Sequence, residues 1–151
     1  MKSALNVVLL VLSGLFFSSR LPAQPYITQG DVPVERGFRA VTLVQGLEHP
    51  WGIAWLPNDD ILITERPGRL RRVRDLQLVS DPIAGVSEVF AAGQGGLLDI
   101  SLHPHFKENH KIYFTYAHGS HRANRTRVAS AVLKGNVLKN WKVIFEVAVE
   151  K

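Results

Sequence analysis

The segment from Gly93 to Gly96, with the sequence Gly-Gln-Gly-Gly, has the clearest chemical character in this chain. The side-chain amide of Gln94 donates and accepts hydrogen bonds without adding a charge. The flanking glycines allow backbone angles that other residues avoid, and they let a ligand approach the backbone closely. The pattern is typical of a binding loop. The alternative interpretation is a tight turn that only leads the chain into the next strand.

Five histidines lie close together in the sequence, and imidazole is a common metal ligand. They are His103, His105, His110, His118 and His121. Pro104 interrupts the only pair that an extended strand would place on one face, and His118 and His121 fall in a turn-like stretch. We therefore expect loop and strand-end positions for these histidines, and we assign no metal ligand among them.

Two carboxylates lie next to apolar strand segments. Asp99 interrupts the apolar run LLDISL, where we expect it to bind backbone N–H groups rather than to act in chemistry. Glu65 and Arg66 follow the run ILIT. They either pair with each other or lie in a solvated turn, and the solvated turn is the favoured interpretation.

Composition excludes several classes of function. The absence of cysteine excludes disulfides, thiolate zinc sites and a cysteine nucleophile. The formal net charge of +5 suggests nucleic acid as a partner. However, the tightest basic cluster, residues 69–74, is a predicted strand whose alternate residues face opposite sides, and no aromatic residues interleave with it. We therefore expect no nucleic-acid partner.

Residues 1–23 have the features of a secretory signal peptide. Lys2 supplies the positive start, an apolar stretch follows over 5–17, and Ala23 provides a small residue for cleavage. The apolar stretch is shorter than the roughly 20 residues that span a bilayer, so we expect no stable membrane span after cleavage. The prediction is a periplasmic or secreted protein, with residues 24–37 as a loose lead-in segment.

Short strands fill the rest of the chain. We predict a first set of strands over 38–44, 51–56, 61–65 and 69–74, and a second set over 97–102, 111–117, 125–133 and 141–147. Both sets share a scheme of apolar strand, proline, polar turn and apolar strand, repeated after roughly 45 residues, which is typical of β-propeller blades. Trp51, Trp55 and Trp141 are expected to pack the blades.

Three segments together resemble the glucose/sorbosone dehydrogenase family. They are PWGIAWLPNDDILITERPGRLRRV, DPIAGVSEV and GQGGLLDISLHPHFKENHKIYFTYA, in that order and spacing. The resemblance covers residues 38–151, and the members it is most similar to are soluble periplasmic aldose sugar dehydrogenases that use pyrroloquinoline quinone (PQQ). It implies an all-β fold in which residues 38–151 are about two N-terminal blades of a six-bladed β-propeller.

The resemblance also implies a chemistry. Family members oxidise the anomeric carbon of an aldose to a lactone and pass the hydride to PQQ, with an electron acceptor as the further partner and calcium ions in support. The glutamine of the GQGG motif contacts PQQ in the family, so the resemblance assigns Gln94 to cofactor binding. A neutral amide suits a polyanionic quinone because it adds no further negative charge.

None of the five histidines matches the family's general base, which is expected beyond Lys151, together with the remaining cofactor clamp and the calcium ligands. The expectation from the sequence is therefore the N-terminal portion of an enzyme, inactive by itself, with no catalytic residue in this chain. Because a blade needs neighbours on both sides, two blades are expected to leave an apolar face uncovered. The alternative is a secreted, non-enzymatic propeller that serves as a binding module.

Overall fold

The structure is a computed structural model that describes residues 41–148. The predicted signal peptide and lead-in segment, residues 1–23 and 24–37, lie outside the described residues. Within the described part, the chain forms two four-stranded antiparallel sheets and one short helix. The structure therefore confirms the prediction of an all-β fold.

The first sheet follows the chain in the order β1-β2-β3-β4. Its strands are β1 (Pro50–Trp55), β2 (Ile61–Glu65), β3 (Arg69–Arg74) and β4 (Gln77–Leu78). Alternating apolar residues favour strands, and residues of positive φ reverse the chain between them: Asp59, Gly68, Asp75 and Leu76. Each strand therefore pairs with the next one in the sequence.

The second sheet repeats the scheme in the order β5-β6-β7-β8. Its strands are β5 (Leu97–Leu102), β6 (Lys111–Gly119), β7 (Asn124–Lys134) and β8 (Val137–Glu146). The helix α1 (Phe106–Asn109) is a single turn between β5 and β6. β5 occupies the place that β1 has in the first sheet, in agreement with the predicted repeat of roughly 45 residues.

The main core lies between the two sheets. Both sheets contribute large side chains that are almost fully buried, including Leu62, Leu70, Ile112, Phe114 and Tyr116. Burying an aliphatic side chain of this size stabilises the fold by about 1.5–3 kcal/mol. Small residues of β7, Ala129 and Ala131, allow the sheets to pack closely, and the core fixes both sheets as one unit.

The outer face of the first sheet is only partly covered. Ile61, Ile63 and Val73 form a small cluster there, with Val44 and Leu47 packed against it. The β1 side chains on this face remain exposed: Trp51 (52%), Ile53 (47%) and Trp55 (58%).

The tryptophans differ in their packing. Trp141 stacks on Phe114 with ring centroids 5.1 Å apart, as the packing role predicts. Trp51 and Trp55 do not pack in the core, because strand alternation directs them to the opposite face of β1. They lie on the apolar face that two blades are expected to leave uncovered, and their role in packing blades stays a prediction.

The strand predictions hold with a few corrections. β2, β3 and β5 have the predicted bounds, and β6 and β7 extend beyond theirs. β8 begins four residues earlier than predicted and ends one residue earlier. The strand predicted over 38–44 is wrong where it is described, because residues 41–44 form no strand. The sequence interpretation missed β4 and α1, which are short. Between residues 41 and 148, no helix has the length and apolar character needed to cross a bilayer.

Candidate functional site

The GQGG segment forms a tight turn immediately before β5. The N–H of Gly95 donates to the carbonyl of Ala92 at 2.8 Å, which closes the turn. Gly96 then joins the second sheet, because its carbonyl accepts from the N–H of Ala117 at 2.9 Å. Gln94 lies exposed at the tip of this turn. The turn therefore presents the Gln94 amide outward while its base is fixed to the sheet.

Arg66 ties this turn to the first sheet. Its carbonyl accepts from the N–H of Leu97 at 2.9 Å, and its own N–H donates to the carbonyl of His49 at 3.0 Å. Its guanidinium donates to the carbonyl of Gly93. Arg66 therefore holds both ends of the GQGG turn. The sequence interpretation missed this role, and it was wrong to consider Arg66 as a partner of Glu65.

The three glycines of the turn have different requirements. A side chain at Gly96 would place its Cβ 2.3 Å from Cγ and 2.4 Å from the carbonyl oxygen of Arg66. At Gly95 the nearest atom would be 3.0 Å away, and at Gly93 nothing lies within 4 Å, although its φ is +54°. Packing against Arg66 therefore requires glycine at position 96, whereas position 93 requires it only for backbone conformation.

A groove of about 440 Å³ opens beside Gln94. The polar residues that line it are Gln94, Asn124, Arg125 and Thr126, and Leu98 and Ala117 provide apolar surface. Arg125 is paired with Glu146 at 2.8 Å, and the Asn124 amide donates to the carbonyl of Ser120 at 3.2 Å. The Gln94 amide has no hydrogen-bond partner recorded among residues 41–148. The groove therefore presents an uncommitted neutral amide beside a guanidinium.

These residues fit one wall of a site for a planar polyanion such as PQQ. The amide offers an N–H donor, and the Arg125 side chain, which is about one-third exposed, offers positive charge at the same groove. They are not a complete enclosure for such a cofactor. No group of three or more His, Asp or Glu side chains in residues 41–148 is placed to hold a metal ion.

Thr64 joins the two sheets beside the turn, and Asp99 lies at the same contact. The Thr64 hydroxyl donates to the carbonyl of Leu98 and accepts from the N–H of Gly52 at 2.8 Å. Asp99 Oδ1 accepts from the N–H of Ile100 at 2.9 Å, which confirms the expected backbone-binding role of Asp99. A Cβ at Gly52 would lie 2.9 Å from that same oxygen, so Gly52 allows β1 to approach β5 closely.

Glu65 is fully buried, which contradicts the solvated turn expected for it. Its carboxylate accepts from Arg69 Nε and from the N–H of Glu48, each at 2.6 Å, and Arg71 Nη1 lies 3.6 Å away. Burial raises the pKa of Glu65, but these hydrogen bonds and the two guanidinium charges outweigh burial and hold its pKa below the ordinary value. Glu65 is therefore ionised and fixes the segment that leads into β1.

The five histidines do not converge. His103 Nδ1 accepts from the N–H of His105 at 2.9 Å and contacts the Asn109 amide, so it orders the turn around α1. His110 packs edge-on against Phe106, and His121 packs edge-on against Phe90. All five lie at loop or strand-end positions, as the sequence predicts, and His118 lies near the end of β6.

The chain matches known proteins over its described part. The family model for glucose/sorbosone dehydrogenases matches residues 47–151. An uncharacterised protein of Synechocystis is 60% identical over 122 residues, which cover 76% of this chain and 30% of that protein. The aldose sugar dehydrogenase YliI of Escherichia coli is 46% identical over 72 residues, covering 47% of this chain and 19% of that enzyme.

A solved structure agrees with this assignment. The PQQ-bound aldose sugar dehydrogenase of Streptomyces coelicolor superposes with a TM-score of 0.63 at 27% identity, covering 71% of this chain and 33% of that chain. The chain thus spans about 30% of the length of the uncharacterised relative and less of the enzyme from Escherichia coli. The two sheets are therefore part of a β-propeller, and the chain belongs to the glucose/sorbosone dehydrogenase family.

Proposed function

We propose that this chain contributes the Gln94 wall of the cofactor site in an exported, PQQ-dependent aldose dehydrogenase. The observation that carries the proposal is the exposed Gln94 amide on a turn that Arg66 fixes at both ends. A preformed donor loses little conformational entropy when a ligand binds. The similarity to aldose sugar dehydrogenases supports an aldose as the substrate and a separate electron acceptor as the partner.

The residues of this chain act by binding and orientation. The Gln94 N–H donates to an oxygen of the cofactor, Arg125 adds positive charge at the same groove, and Arg66 keeps the turn in place. Bound PQQ supplies the hydride acceptor for oxidation of the anomeric carbon to a lactone. No residue of this chain is assigned the role of general base, and export through residues 1–23 is part of the proposal.

Gln94→Ala is expected to weaken PQQ binding about 3–10-fold, because one neutral hydrogen bond contributes about 0.5–1.5 kcal/mol. The apo-protein should keep its melting temperature, since the Gln94 side chain has no hydrogen-bond partner among residues 41–148. Calorimetric titration with PQQ measures the affinity of the whole protein that the gene encodes. Thermal melts without PQQ measure its stability. Gln77→Ala, at an exposed position of β4, is the matched control. Unchanged PQQ affinity in Gln94→Ala would show that Gln94 is only a turn residue and contradict its role in cofactor binding.

We further propose that the 151-residue chain by itself has no dehydrogenase activity. The apolar side chains exposed on β1 and on the end of β8 support a tendency of the chain to associate, because exposed apolar surface favours association. We expect the purified chain to aggregate or to require a partner, and to reduce no dye with PQQ and an aldose. A monomer with a sharp cooperative melt, or dye reduction that depends on PQQ, would contradict the proposal.

A further inference from the structure

A second cavity lies between the two sheets at the end opposite the Gln94 turn. Its volume is about 510 Å³, within the range of small-molecule sites. Three buried apolar side chains, Leu56, Phe106 and Leu133, form the floor of the cavity. They lie just after β1, at the start of α1 and near the end of β7. The cavity is therefore separate from the groove that contains Gln94.

Basic side chains line the same cavity. They are Arg72, Lys107, His110 and Lys134, and no acidic residue of the described part lines it. The carboxylate of Asp60 lies beside Arg72 and accepts two hydrogen bonds from Arg74, at 3.0 and 2.7 Å. Arg72 Nη1 lies 3.6 Å from Asp60, beyond hydrogen-bond distance. The carboxylate is thus committed mainly to Arg74, and the cavity keeps an excess of positive charge.

Arg72 is a largely buried cation whose charge is incompletely compensated. Its side chain is only 11% exposed, and Nη2 donates to the carbonyl of Gly135 at 2.7 Å. Its Nε has no hydrogen-bond partner among residues 41–148. Burial lowers the pKa of the Arg72 guanidinium, and the charge of Asp60 opposes this effect without cancelling it. An anion in the cavity would supply compensating charge, because buried charges are stable only when they are paired.

We propose that this cavity binds an amphipathic organic anion. A carboxylate or phosphate head group contacts Arg72 between Lys107 and Lys134, and an apolar body packs against Leu56, Phe106 and Leu133. The two lysines are exposed and free to move onto the head group, while the floor and Arg72 are fixed by the fold. A neutral molecule of the same shape gains only the apolar contact, and inorganic phosphate gains only the charge contact.

The proposal is tested by calorimetric titration of the whole protein that the gene encodes. The three probes are octanoate, octanol and inorganic phosphate. Octanoate is expected to bind at least about 10-fold more tightly than the other two probes, and more weakly at high salt. Octyl phosphate, titrated beside octanoate, distinguishes the two head groups. Octanol binding as tightly as octanoate, or no octanoate binding at about 10 mM, would overturn the proposal.

Variants locate the binding. Lys107→Gln and Lys134→Gln are expected to weaken octanoate binding about 3–5-fold each, because exposed ion pairs contribute up to about 1 kcal/mol. Lys139→Gln, at an exposed position of β8 outside the cavity, is the matched control and should change nothing. All three variants should keep the PQQ affinity and the melting temperature of the parent. Octanoate binding that is insensitive to both cavity lysines would place it on the exposed apolar faces and contradict the inference.

Discussion

Replacement of Glu65 by glutamine is expected to lower the free energy of unfolding by about 2–4 kcal/mol. Removing one partner of a buried ion pair usually costs about 3–5 kcal/mol, and the partial exposure of Arg69 reduces this cost. Arg71, whose side chain is only 12% exposed, would keep a buried charge without its carboxylate. Urea unfolding at neutral pH measures the change, with Glu88→Gln at an exposed loop position as the control.

The same contacts predict how stability depends on pH. The folded-state pKa of Glu65 is lowered, so its contribution is fully present above the unfolded pKa of about 4.3 and disappears as the pH falls through the folded pKa. The difference in stability between the parent and Glu65→Gln should therefore shrink at acid pH. A difference that is constant with pH, or as small as that of Glu88→Gln, would show that the buried carboxylate is not ionised.

Gly96→Ala is expected to destabilise the protein by about 2–4 kcal/mol. The new methyl group would lie 2.3 Å from Arg66 Cγ and 2.4 Å from the Arg66 carbonyl oxygen, which itself accepts from the N–H of Leu97. Because that carbonyl cannot move without losing its hydrogen bond, overpacking of about 1–3 kcal/mol adds to a lost bond of about 1 kcal/mol. PQQ affinity should fall as well, since the turn that carries Gln94 must shift.

Gly93→Ala provides the comparison within the same turn. No atom lies within 4 Å of the added methyl group, and the φ of +54° alone costs about 1–2 kcal/mol. Thermal melts and PQQ titrations of both variants separate close packing from backbone conformation. Equal losses of stability in the two variants would contradict the tight contact between Gly96 and Arg66.

Local patterns in the sequence predicted most of the fold. The short apolar run in ILITE, bounded by turn residues, defined β2, a strand that is buried along its whole length. The alternation of charged and apolar residues in RLRRVR defined β3. The sequence did not predict β4, because this strand has only two residues and follows a turn in which Asp75 and Leu76 both have positive φ. Leucine rarely adopts that conformation, so no turn signal marked the position.

The sequence by itself determined most of the strands, the repeat and the resemblance to a family, and it led to the hypothesis that Gln94 binds a cofactor. Only the tertiary structure decided which residues surround that turn and which carboxylates are buried. Arg66 contacts Gly93 across 27 positions, and Glu48 meets Glu65 across 17. The basic cavity likewise combines residues from both sheets. A periodic pattern fixes which face a side chain occupies, whereas the partner on that face depends on how distant strands pack.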